Sequence, residues 1–231
     1  MSDIGEHVLH AIPTRVHASL RPTVHGIWTS PPTFDSNRIR LMETKASTNQ
    51  HATEQNLPDT IAVLSRTPAA LDTLLRDLPD VWTRRNEGVD TWNVFDVIGH
   101  LIQGERTDWM PRVKIILQFG ETRAFDPFDR LAQRTASEGK VLSQLLDELG
   151  SLRAANLDEL QALKLTPEDL RRPGLHPALG SVTLSQLLAT WATHDLTHLH
   201  QVSRIMAHQY RAAVGPWSAY LGVLHCEGHG S

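Results

Sequence analysis

The sequence contains a single cysteine, Cys226, in 231 residues. An internal disulfide framework is therefore excluded, and a reducing compartment suits the composition. It has no apolar run of about 18 residues, the length that would be needed to cross a bilayer, so no transmembrane helix is expected. No secretory signal is expected, because Ile4, Val8 and Leu9 are interrupted by Gly5, Glu6, His7 and His10. No Lys/Arg-rich run occurs, and the net charge is -4 with histidines neutral. Counterion release would then add little to nucleic-acid affinity. The expectation is a cytoplasmic protein with neither a nucleic-acid nor a membrane partner. Charged residues at 21% and hydrophobic residues at 40% are ordinary for a globular chain.

Residues 1–53 carry turn-forming Pro and Thr, namely Pro13, Thr14, Pro22, Thr23, Pro31, Pro32 and Thr33, without a sustained period. This composition predicts a disordered N-terminal extension. Met42 offers an alternative start. His7, His10, His17, His25 and His51 lie here without a fixed spacing and are not expected to form a site.

From Asn56 onward the period becomes helical. Ile61, Leu64, Leu71, Leu74, Leu75 and Leu78 define a first helical stretch, interrupted by Thr67-Pro68. Residues 79–91 read as a polar loop containing Trp82. A second helix begins at the N-cap Asn93, bends at Pro111 and ends at Gly120. A third covers about 138–164. Pro173, Gly174, Pro177 and Gly180 mark a loop or a short ordered turn pair. A fourth helix opens on the capping box Thr183 to Gln186 and runs to about His208. Gly215-Pro216 starts a short final helix. No strand alternation and no internal repeat are visible. The fold class expected is all-α: a four-helix bundle over 54–224, with a short extra C-terminal helix and a tail at 225–231.

His194 and His198, four apart on the fourth helix, point within about 40° of each other. Leu187, Trp191, Val202 and Ile205 share their face, so both rings should enter the bundle. Buried imidazoles need hydrogen bonds or a ligand. Hydrogen-bonded core histidines would satisfy this, and so would one divalent metal held by both. A third ligand must come from another helix, and His100 is the candidate. Gly104, one turn on, would leave room for a metal, water or substrate. Three histidines without a fourth protein ligand describe an open, catalytic-type site.

The neighbours are read as follows. Asp195 either orients a ligating imidazole or pairs with an arginine. Asp96 caps its helix. His200 faces outward, and His176 is structural or lines the site mouth. His225, Cys226 and His229 sit in a frayed tail. Glu105-Arg106 and Asp108-Trp109 read as a surface stripe beside a core tryptophan.

Two segments carry a family resemblance. The first runs from Trp92-Asn93-Val94-Phe95-Asp96-Val97-Ile98-Gly99-His100-Leu101 through Glu105-Arg106 to Trp109-Met110-Pro111-Arg112. The second runs from His176-Pro177 through Gly180, Val182-Thr183-Leu184 and Trp191 to His194-Asp195-Leu196-Thr197-His198-Leu199. Gln209-Tyr210, Val214-Gly215-Pro216-Trp217 and Tyr220-Leu221 extend it. Over about residues 56–224 the chain resembles the DinB-like proteins. The resemblance implies a four-helix bundle of the DinB/YfiT type, often dimeric. It also implies three histidines binding a divalent metal such as zinc, nickel or another transition ion. The matching positions are His100, His194 and His198. Some relatives are S-transferases that use a low-molecular-weight thiol, others resemble metal-dependent hydrolases, and many have no known activity.

The expected function is metal-dependent transfer to or from a low-molecular-weight thiol, acting on a small-molecule substrate in a homodimer. No glutamate within the His194–His198 stretch offers itself as a general base, which favours a thiol nucleophile over water. The alternatives are a metal-dependent hydrolase and a non-catalytic stress-response metal-binding protein.

Overall fold

The computed structural model describes residues 56–129 and 132–226, apart from the side chain of Arg134. The extension at 1–53 and the residues after Cys226, including His229, lie outside the described residues.

The first helical stretch is two helices, α1 (Leu57–Leu64) and α2 (Thr67–Leu75). The break falls where Pro68 cannot donate a backbone hydrogen bond. The expected loop at 79–91 contains a single turn of helix, α3 (Asp80–Thr83). Then α4 (Val94–Thr107) starts on a capping box. The Asn93 side chain accepts from the Asp96 N–H at 2.9 Å, and the Asp96 carboxylate accepts from the Asn93 N–H at 3.1 Å. The expected single bent helix is two, with α5 (Trp109–Phe119) starting after Asp108. Pro111 has no N–H to offer the Thr107 carbonyl, so the interruption falls one turn earlier than the proline itself. Gly120, at φ +56°, ends α5 in a conformation that favours glycine.

The third helix is preceded by a short one, α6 (Ala132–Ala136), and is itself α7 (Leu142–Ala162). A turn, α8 (Pro167–Leu170), leads to the segment expected as a loop or a short ordered turn pair. It forms a small antiparallel hairpin, β1 (Pro173–His176) with β2 (Gly180–Thr183), beside the helical bundle. Pro173 pairs with Thr183 and His176 with Gly180. Gly174 lets β1 press on α5, since a Cβ there would lie 2.5 Å from the Ile116 side chain. The hairpin runs directly into α9 (Leu184–His208), whose capping box is the expected one: the Thr183 hydroxyl accepts from the Gln186 N–H. The expected last helix is a 3-10 segment, Gly215–Tyr220, followed by a second, Gly222–Leu224.

The α1/α2 pair, the α4/α5 pair, α7 and α9 make a four-helix bundle. Its core has two parts. One holds Leu71, Val97, Ile98, Leu101, Leu145, Leu149, Val202 and Ile205. The other holds Leu64, Trp109, Val113, Leu157, Leu160, Leu188 and Trp191. Between the two lie three buried charged residues: Glu105 near the end of α4, Arg153 on α7 and Asp195 on α9.

These three side chains are 2% exposed or less. Arg153 Nε and Nη2 donate to Glu105 Oε1 at 3.0 and 2.7 Å, and Nη1 and Nη2 donate to the two Asp195 oxygens at 2.6 and 3.0 Å. Nη1 also donates to the Leu64 carbonyl at 2.7 Å. Trp191 Nε1 and Asn156 Nδ2 donate to the Glu105 carboxylate. Burial works against the Arg153 charge, but the two carboxylates outweigh it and raise its pKa. Glu105 is thus not part of a surface stripe. Of the two readings of Asp195, the arginine pair is the one formed.

Removing one partner of a buried ion pair leaves an uncompensated charge, at a cost of about 3–5 kcal/mol. Arg153→Met strands two carboxylates and should lower unfolding free energy by that amount in urea titrations. A loss under about 1 kcal/mol would contradict this account of the bundle's centre.

Candidate metal centre

The bundle places His100 on α4 against His194 and His198 on α9. The Nε2 atoms of His100 and His194 are 3.1 Å apart, and those of His198 and His194 are 3.0 Å apart. His100 and His198 are each 8% exposed. These are the three positions singled out in the sequence, and among the described residues they form the one His/Cys/Asp/Glu group with metal-ligand spacing.

Proton bookkeeping shows what this arrangement accepts. His198 Nδ1 lies 2.7 Å from Gln201 Oε1. An amide oxygen only accepts, so Nδ1 carries the proton and Nε2 presents a lone pair. His194 Nε2 faces the Nε2 atoms of both neighbours, and a single proton there can serve only one of them well. A cation among the three nitrogens serves all of them. Two imidazole nitrogens about 2.0–2.1 Å from one ion lie about 3 Å apart when the angle at the ion is near 90°. The observed separations match that. Imidazole nitrogen suits zinc, nickel and related transition ions.

Aromatic rings wall the cluster. Trp92 lies 4.9 Å from His100 and 6.5 Å from His198 between centroids; Phe128 lies 5.4 Å from His100 and Trp109 5.1 Å from His194. Trp109 in turn stacks on Trp191 at 5.7 Å, joining the cluster to the Arg153 layer. The space left by Gly104 is taken by this indole: a Cβ would come within 3.0 Å of Trp109 Nε1. The glycine therefore makes room for Trp109 rather than for a metal or substrate. Burial, then the neighbouring His198 and His100 rings and the Arg153 charge, push the His194 pKa down to about 2.

The cluster opens on a cavity of about 520 Å³, within the range of small-molecule sites. His176 lines it, and its Nδ1 accepts from the Ala178 and Leu179 N–H groups. Asp108, expected on the surface, is 9% exposed and lines the same cavity, paired with Arg112 at 2.7 Å. Burial raises its pKa against the opposing charge of Arg112. Arg112, Phe125 and Phe128 were not legible as lining residues, because α5 and the 125–128 segment reach the cavity only through the fold. His200 is half-buried rather than outward-facing and lies outside the three-ring group. His225 and Cys226 are exposed, and His225 Nε2 pairs with the Ser218 carbonyl.

The described structure is thus a helical bundle with three histidines converging on a cavity. The chain belongs to the DinB superfamily, whose sequence pattern matches residues 63–202. Among solved structures it is similar to YfiT from Bacillus subtilis, described as "a probable metal-dependent hydrolase with an unusual four-helix bundle topology". The TM-score is 0.56 at 23% identity, over 72% of this chain and 93% of that one. At that identity the likeness establishes the fold. No curated protein matches the chain. No helix among the described residues is long and apolar enough to cross a membrane.

The depressed His194 pKa has a direct consequence for metal-free protein. The unfolded chain takes up a proton at this residue below about pH 6.5, whereas the fold refuses it. Stability should therefore fall as pH drops below that value, by up to about 1.4 kcal/mol per pH unit. Urea titrations in chelator between pH 7.5 and 5.5, on wild type and His194→Gln, isolate this contribution as their difference. A pH-independent difference would contradict it.

Proposed function

We propose that His100, His194 and His198 hold one divalent transition metal and that the protein is an enzyme built on it. The observation that carries this reading is the approach of His100 Nε2 and His198 Nε2 to His194 Nε2, at 3.1 and 3.0 Å, at the wall of a cavity of about 520 Å³. A three-histidine set leaves coordination positions open, as catalytic sites do.

A divalent ion bound there supplies a Lewis acid and lowers the pKa of a water or thiol nucleophile. The protein's own groups do the rest. Gln201 holds the His198 ring in the tautomer that turns Nε2 inward, while Trp92, Trp109 and Phe128 keep bulk water from the rings. Glu105 is fully engaged by Arg153, Trp191 and Asn156, so it is not free to move protons. We favour transfer involving a low-molecular-weight thiol, since a thiol is deprotonated by a metal with less help than water requires. Hydrolysis is the second reading. It is favoured by Asp108, a carboxylate lining the same cavity, and by the description of YfiT as a hydrolase. The single exposed Cys226 fits a cytoplasmic setting. Exposed Trp217 and Tyr220 fit a face shared by two copies.

One experiment tests site and chemistry together. After dialysis against a weak chelator, His100→Ala and His198→Ala should retain well under one metal per chain, and His200→Ala should retain about one. With metal-loaded wild type, conjugation of an electrophile such as 1-chloro-2,4-dinitrobenzene should require an added small thiol. Metal retention in His198→Ala would overturn the ligand set. Thiol-independent ester hydrolysis with no conjugation would select the second reading.

A further inference from the structure

The cavity has a second end of opposite character to the histidine cluster. Arg112, on α5, is largely buried, with its side chain 11% exposed, and lines the cavity. Of its five N–H donors, one is engaged by Asp108 Oδ1, at 2.7 Å. Its guanidinium sits 5.1 Å from the Phe125 ring centroid. His176, on β1, meets the same ring edge-on, with centroids 6.0 Å apart. Because His176 Nδ1 accepts two backbone N–H bonds, its proton resides on Nε2, which is left as a donor. Arg112 also acts electrostatically on His176. The segment 125–128 joins this end to the histidine cluster, with Phe125 against Arg112 and His176, and Phe128 against His100.

We propose that Arg112 and His176 form an anion-binding end of this cavity, and that the natural substrate is a small, largely apolar molecule carrying one carboxylate. This rests on the reading of the histidine cluster as the reactive end. The carboxylate would lie on the guanidinium fork, with the His176 Nε2–H as a further donor and its other end toward the three histidines. A guanidinium matches a planar carboxylate through paired N–H groups. Asp108 already offsets part of the Arg112 charge, so a single negative charge suits this end better than a phosphate dianion. Phe125, Phe128, Leu179 and Leu187 supply apolar wall for the body of the molecule.

The test is binding, read by quenching of tryptophan fluorescence, since Trp92 and Trp109 line the cavity. Benzoate, phenyl phosphate and the uncharged benzamide are titrated into the full chain, metal-loaded and metal-free. Benzoate should bind at least about tenfold more tightly than benzamide in both forms, and more tightly than phenyl phosphate. Arg112→Gln should abolish the preference while keeping the wild-type metal content. Should Arg112→Gln not fold, His176→Phe should weaken benzoate several-fold and leave benzamide unchanged. No preference for benzoate over benzamide in wild type overturns the proposal, whether or not either binds. So does tighter binding of phenyl phosphate. A preference lost on chelation but retained in Arg112→Gln places the carboxylate on the metal, which overturns the anion end and leaves the metal centre standing. A preference that follows Arg112 in protein that takes up no metal supports the anion end and removes the metal centre instead.

Discussion

One arginine buried at mid-height sets the geometry of this bundle. Arg153 is hydrogen-bonded to Glu105 on α4, Asp195 on α9 and the Leu64 carbonyl at the end of α1. Four helical segments are thereby tied at one level, with an apolar cluster on either side. Such a layer is costly to desolvate and contributes little net stability beyond what apolar residues would give. What it does set is register. A helix that slid or rotated would leave one of these charges buried and unpaired, so alternative packings are strongly disfavoured.

The histidine cluster depends on that register. His194 neighbours Asp195 in sequence, and His100 lies just over one turn before Glu105. Fixing Asp195 and Glu105 on Arg153 therefore fixes how far apart the rings of α4 and α9 sit. The stacked Trp109 and Trp191 carry the same constraint sideways, and Gly104 admits the indole to that position. The lone pairs of the rings favour a cation at the head of the cavity. The break at Asp108 turns α5 so that Arg112 reaches the same cavity from another wall. Two ends of opposite electrostatic character thus follow from one interruption in one helix.

Much of this was legible in the residues. The i, i+4 pair His194/His198 on an apolar face, and His100 at the edge of another, point to a shared site because buried imidazoles demand partners. The capping boxes at Asn93 and Thr183 are local chemistry and read directly. The Arg153 layer was not read, since its ion pairs span 42 and 48 residues and charged residues on a helix suggest solvent. A signal did exist. Arg153 sits in the stripe Leu146, Leu149, Leu157, Leu160, and Asp195 in the stripe Leu188, Trp191, His198, Val202, each at a core position of its helix. The hairpin at 173–183 is too short and too rich in Pro and Gly to show alternation; its pairing is made by tertiary contact with α5. Asp108 and Arg112 were hidden because the helix break before Pro111 turns what would have been a solvent face inward.

The central claim is that three imidazole nitrogens, and no other protein group, hold a metal here. X-ray absorption at the metal edge tests it most directly, on the full chain purified without a histidine tag and loaded with one equivalent of zinc or nickel. The account predicts a first shell of nitrogen and oxygen at about 2.0–2.1 Å, with outer-shell scattering from three imidazoles that drops to two in His100→Ala. A sulfur shell at about 2.3 Å, or an imidazole count unchanged by His100→Ala, would contradict it.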